Sequence, residues 1–152
     1  MKARILSLLL CTLFLLPCLV SCVGQIEDTN GADTALTTVT DEDIQKKNPS
    51  HNAVGMVRSE LDGKQSLRAS KLSGVYAFNS YTANGGTLTV ALSTTLYEGN
   101  LRAVLLCEGV YVQDIPLGEA QTVRIEAATG KYQVRLAAES AKLDATLTFT
   151  EV

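Results

Sequence analysis

The chain has 152 residues, 13 basic and 16 acidic side chains, a net charge of −3, 5% aromatic residues and no tryptophan. That length allows one domain with a modest core. The acidic balance excludes the broad basic surface that nucleic-acid binding requires.

The chain opens on Met1-Lys2-Ala3-Arg4, then runs without a charge from Ile5 to Val23. Lys2 and Arg4 form the positive region of a secretory signal, Ile5 to Leu16 the apolar region, and Pro17 to Ser21 the cleavage region. A retained membrane helix is the alternative, but the run is at the short limit for a span and Pro17 interrupts its end. Leu19-Val20-Ser21-Cys22 resembles the lipobox of bacterial lipoproteins: an aliphatic residue, a tolerant position, a small residue, then cysteine. The resemblance implies recognition and cleavage at Leu19, Val20 and Ser21, with diacylglycerol on the thiol of Cys22. The thiolate is the nucleophile such an acylation needs, and two acyl chains hold a protein at a membrane where one does not. It also implies an extracytoplasmic, lipid-anchored location, at the outer membrane in a host with two, since Val23 is not the aspartate that retains lipoproteins at an inner membrane.

Residues 22–66 read as the lipidated cysteine, an acidic linker and a lead-in. Between Val23 and Ser50, six acids (Glu27, Asp28, Asp33, Asp41, Glu42, Asp43) face only Lys46 and Lys47, a net of −4. So polar a stretch buries too little to offset the entropy of ordering, and reads as a solvated spacer. Within it Thr40 is spaced to cap one helical turn, with Asp43 three residues on, and Asn48-Pro49 stops the turn. Leu61-Asp62-Gly63-Lys64 reads as a turn.

Residues 67–152 carry the two-residue period of half-buried strands. Seven segments are predicted: 71–80, 87–97, 101–107, 110–115, 122–127, 132–138 and 142–150. They are separated by turn signals such as Asn84-Gly85-Gly86, Glu98-Gly99-Asn100, Glu108-Gly109 and Thr129-Gly130. That spacing predicts an all-β domain, a small antiparallel β-sandwich or jelly roll. The third segment is apolar on both faces through Val104 and Leu106, so it should be central and covered. Arg102, Arg124 and Arg135 should lie on solvent faces.

Two runs, Gly130-Lys131-Tyr132-Gln133-Val134-Arg135-Leu136 and Leu143-Asp144-Ala145-Thr146-Leu147-Thr148-Phe149, look like the closing hairpin of small secreted β-sandwiches such as prepeptidase C-terminal-type domains. Leu101-Arg102-Ala103-Val104-Leu105-Leu106 is similar to their central strand. The resemblance implies an accessory or adhesion role. The Asp-rich turn of those domains is replaced by Glu108-Gly109, which puts a calcium role in doubt.

Catalytic chemistry finds little support. Cys11 and Cys18 would leave with the signal and Cys22 would be acylated, so Cys107 stays as a lone thiol, read as a small buried hydrophobe. With His51 the only histidine, nucleophile–base arrangements and His/Cys zinc sites lack members. No cofactor, no metal and no enzyme activity are expected. Without Lys2 and Arg4 the 13 bases fall to 11 against 16 acids, a net of −5, so no nucleic acid is expected as a partner. Tyr76, Tyr97 and Tyr111 could share an outer face and stack on a ligand, with cross-strand packing as the plainer reading. The functional expectation is an anchored, non-catalytic protein-interaction or accessory module of the cell envelope, its partners membrane lipid through Cys22 and an unidentified envelope protein. The alternative is a glycan- or small-ligand-binding lipoprotein.

Overall fold

The computed structural model describes residues 36–152. The element order is α1 (Asp41–Gln45), β1 (His51–Val54), β2 (Val57–Leu61), β3 (Lys64–Asn84), β4 (Leu88–Cys107), β5 (Val110–Ile115), β6 (Gln121–Ile125) and β7 (Thr129–Glu151). All pairings are antiparallel, and β7 lies between β3 and β4. The domain is all-β, a sandwich made from one bent sheet.

The bend explains the architecture. The long strands lose register together at one level, β3 between Ala69 and Gly74 and β4 between Leu96 and Asn100, both against the stretch of β7 from Ala138 to Leu143; β3 shifts once more between Ala77 and Asn79. Gly99, at φ +77°, is required there, because a Cβ would lie 2.5 Å from the carbonyl oxygens of Glu139 and Ser140. On one side of this corner the order is β2, β3, β7, β4, β6; on the other it is β1, β3, β7, β4, β5. We call these the lower and upper halves. Their inner faces share one core: Leu67, Leu92, Leu143 and Leu147 from the lower half pack with Leu72, Leu105, Val134 and Leu136 from the upper. Burying side chains of this size contributes roughly 1.5–3 kcal/mol each.

Seven strands are present among the described residues, but they are not the seven predicted. The expected turn at Glu98-Gly99-Asn100 is a bend inside β4, so two predicted strands are one; the sixth and seventh are likewise one strand, β7. A β-bulge breaks sequence periodicity as a turn does while leaving the chain extended. Two strands lie in what reads as lead-in. β1 and β2 are short edge strands with every residue exposed, so neither carries a burial alternation. Asp62-Gly63 joins β2 to β3 with both residues at positive φ, the geometry of a tight two-residue hairpin.

The outer face of the upper half is apolar, with Val75, Val104, Leu106 and Ala137 all buried. Residues 36–47, the strap, cover it. Ile44 of α1 is 1% exposed against those four side chains, with Leu36 and Val39 packed at the margin. Thr40 caps α1 as its spacing predicts: its hydroxyl accepts from the Asp43 amide, and the Asp43 carboxylate accepts from the Thr40 amide. Lys46 and the Thr40 bonds hold the Asp43 carboxyl at about 2, well below its ordinary value. Val104 and Leu106 are thus covered, as their two-faced apolarity predicts. Among the described residues no helix is long and apolar enough to cross a membrane.

Candidate functional site

The lipobox residues Leu19, Val20, Ser21 and Cys22 lie outside the described residues. The three candidate tyrosines do not form one face. Tyr76 is a correction: it is 3% exposed, because it shares the inward phase of Leu72 and Phe78 while its neighbour Val75 faces the strap. Its hydroxyl accepts from Nη1 of Arg58 at 2.9 Å, and its ring meets the His51 ring edge-on, 4.9 Å between centroids. Tyr111 is exposed on β5, where its backbone amide donates to the side chain of Gln45. Tyr97 is 56% exposed, at the corner end of the lower half.

The residues around Tyr97 form a connected cluster of charged and aromatic side chains. Arg68 is bidentate to Asp144, through Nε at 2.8 Å and Nη2 at 3.1 Å. The Tyr97 hydroxyl donates to the same carboxylate at 3.2 Å, and Nζ of Lys142 lies 5.9 Å from the Tyr97 ring centre. The Arg68 guanidinium, despite a smaller opposing effect of burial, holds the Asp144 carboxyl below its usual range, and Tyr97 adds to this. All these groups are solvent-facing, so the pair positions side chains more than it stabilises the fold.

Arg68 and Asp144 separate two shallow depressions on the outer face of the lower half. One, of about 250 Å³, is lined by Ser70, Tyr97 and Lys142; the other, of about 400 Å³, by Val57, Ser59, Ser66 and Thr146. Beyond them the face is a series of hydroxyl rungs. Ser59, Ser66, Thr146 and Ser93 lie side by side across four strands, and Thr150 pairs with Thr89 beside Arg124. Val57 and Leu61, 64% and 74% exposed, edge this face on β2. No described segment covers it. It can offer hydrogen bonds, one aromatic ring and an apolar margin to something broad; it cannot enclose a small molecule.

The groups that nucleophilic or metal chemistry would need are dispersed. His51 sits on β1 against Tyr76, and Cys107 is half-buried at the end of β4, its thiol 3.6 Å from the Thr129 carbonyl. Among the described residues no three His, Cys, Asp or Glu side chains group as metal ligands would.

Two residues that sequence reasoning missed hold the strap. Arg135 was expected on a solvent face but is 4% exposed, since its strand position faces outward under the strap. Its Nη1 donates to the carbonyls of Ile44 and Lys46, and its Nε donates to Gln133. Burial works against its charge, and these acceptors compensate. At the corner, Oε1 of Glu139 accepts from the amides of Thr37 at 2.7 Å, Thr38, and Val39 at 3.2 Å. Those bonds, led by the Thr38 amide, lower its carboxyl to about 2. Arg102 joins Asp41 of the strap to Asp114 of β5.

No family model matches the chain, and no curated protein matches it. Among solved structures it is similar to a carbohydrate-binding module, CBM36 in complex with calcium and xylotriose, at 22% identity and a TM-score of 0.31, over 70% of this chain and 92% of that one.

Proposed function

We propose that this chain is a bacterial lipoprotein anchored through Cys22, whose β-sandwich is a non-catalytic accessory module that contacts an envelope protein. The observation that carries the contact reading is the contrast between the two outer faces. The apolar face of the upper half is sealed by the chain's own strap, while the face of the lower half is broad and open. Its hydroxyl rungs and central charged pair (Arg68, Asp144) offer hydrogen bonds and charge that fix the register of a partner, and its apolar margin (Val57, Leu61) offers area to bury. The anchor rests on the lipobox residues alone.

Capture from crosslinked membranes tests the contact. One reproducible protein should copurify with the wild type and be lost from a Ser66→Arg, Thr146→Arg variant that keeps its fold. Undiminished capture by the variant refutes use of this face. Metabolic labelling with a palmitate analogue tests the anchor, and label retained on Cys22→Ala would overturn it.

A second reading, glycan binding, is favoured by one feature: the exposed Tyr97 ring beside the hydroxyl rungs. Against it, Tyr76 is buried and Tyr111 is held beside the strap, so no multi-tyrosine stacking platform forms. Enrichment on polysaccharide alone, with loss on Tyr97→Ala, would decide for it.

A further inference from the structure

The strap is bound as a peptide ligand is bound, and we propose that its groove also accepts the same strap from a second copy of this chain, giving an exchanged dimer. The groove recognises backbone and side chains together. At one end the Glu139 carboxylate takes three consecutive amides, of Thr37, Thr38 and Val39, and the hydroxyls of Thr37 and Thr38; at the other, Arg135 supplies donors to the carbonyls of Ile44 and Lys46, and the Tyr111 amide donates to Gln45. Between them lie one apolar socket, filled by Ile44, and one charged reader, Arg102, on Asp41. Such contacts form equally well whether the strap belongs to the same molecule or to another.

Charge complementarity fits a second copy of the strap as it fits the chain's own: Asp41, in the first turn of α1, pairs with Arg102 of the groove. The strap is also the part of the described chain most easily released. Only Ile44 within it is fully buried, and it belongs to no strand. Between its last anchor, the Lys46 carbonyl, and the next backbone bond, from the Val75 amide to the Ser50 carbonyl, lie only Lys47, Asn48 and Pro49. Residues 36–46 must lie in the groove to make these contacts, so Lys47, Asn48 and Pro49 are the hinge, about 10–11 Å when extended. The two copies exchange with their Ser50 ends close to each other's grooves, and a hinge this short favours exchange. Exchange of an identical element between protomers creates no new contact type, which is what makes it a low-cost route to dimers.

Complementation between full-length variants in detergent micelles tests this. Ile44→Asp disables the strap and leaves the groove; Glu139→Lys disables the groove and leaves the strap. Each alone should be monomeric, and their mixture should form a 1:1 heterodimer by light scattering. A mixture that stays monomeric, with both variants retaining native strand content, overturns the proposal. A second measurement reads the groove directly. A fluorescent peptide of residues 36–47 should bind saturably to Ile44→Asp protein, whose own strap is disabled, and at least tenfold more weakly to Glu139→Gln, Ile44→Asp protein. Equal binding to both, or none to either, also overturns it.

Discussion

Replacing Ile44 by alanine measures what holds the strap down. The side chain is 1% exposed and meets Val75, Val104, Leu106 and Ala137. Truncation removes three buried carbons, which at about 0.8 kcal/mol each comes to roughly 2.4 kcal/mol. A cavity would add to this if the groove held its shape. The strap is fixed chiefly at its ends, by Glu139 and Arg135, so its middle can settle inward and the added cost is small. The expected loss is about 2–3 kcal/mol, with an upper limit set by the strap itself: once the mutant strap undocks, the sandwich beneath loses nothing further. With a urea m-value of about 1.5 kcal/mol/M for a domain of this size, the unfolding midpoint should fall by about 1.3–2 M at unchanged m. Ile44→Val should give less than half that shift. A fall below roughly 0.3 M, with the amides of Thr38 and Val39 still protected from exchange, would show that Ile44 contributes no packing and refute the reasoning.

Three further outcomes follow from the same contacts. The Glu139 carboxyl is lowered from 4.5 to about 2 by the strap amides. The docked state therefore binds fewer protons than the undocked one, and docking is fully supported above pH 4.5 and lost as pH falls towards 2. Hydrogen exchange at Thr37 to Val39 should accelerate across that window relative to β7 amides; Glu139→Gln should exchange fast throughout, and an unchanged wild-type ratio would contradict the assignment. Gly99→Ala should destabilise by at least about 2 kcal/mol, because a side chain at positive φ is strained and its Cβ meets two carbonyl oxygens at 2.5 Å; a thermal midpoint within about 2 °C of wild type would count against the corner as described. Arg135→Met should cost about 1–3 kcal/mol by leaving the Ile44 and Lys46 carbonyls without their donor, partly offset by relief of the buried charge; chemical denaturation that finds the variant more stable than wild type would show that the desolvation cost exceeds the bonds.

What the sequence reveals and what it hides divide along local and long-range lines. The capping box of Thr40 and Asp43 and the turns at Asp62-Gly63 and Glu108-Gly109 rest on neighbours within a few residues and are legible. That Val104 and Leu106 are covered is legible from the apolarity of both faces of their segment, but that Ile44 covers them is not. The continuity of β4 and β7 through the corner is not, since Gly99 signals a bend and a turn equally well. Tyr76 was misplaced although Leu72 and Phe78 share its phase. Arg135 and Glu139 look like ordinary surface charges because their partners lie about 90 to 100 residues earlier in the chain. The cluster of Arg68, Asp144 and Tyr97 is hidden for the same reason: sheet register, not sequence spacing, brings it together.

The place of β7 in the sheet sets an order of events. β3 and β4, though neighbours in sequence, pair with β7 and not with each other. Lys64 finds Thr148, and Leu88 finds Glu151. Neither half of the sandwich can form until β7 is available, so β3 and β4 stay without their main partner until the chain has been made through Glu151. Pairings of such long range also make folding slow.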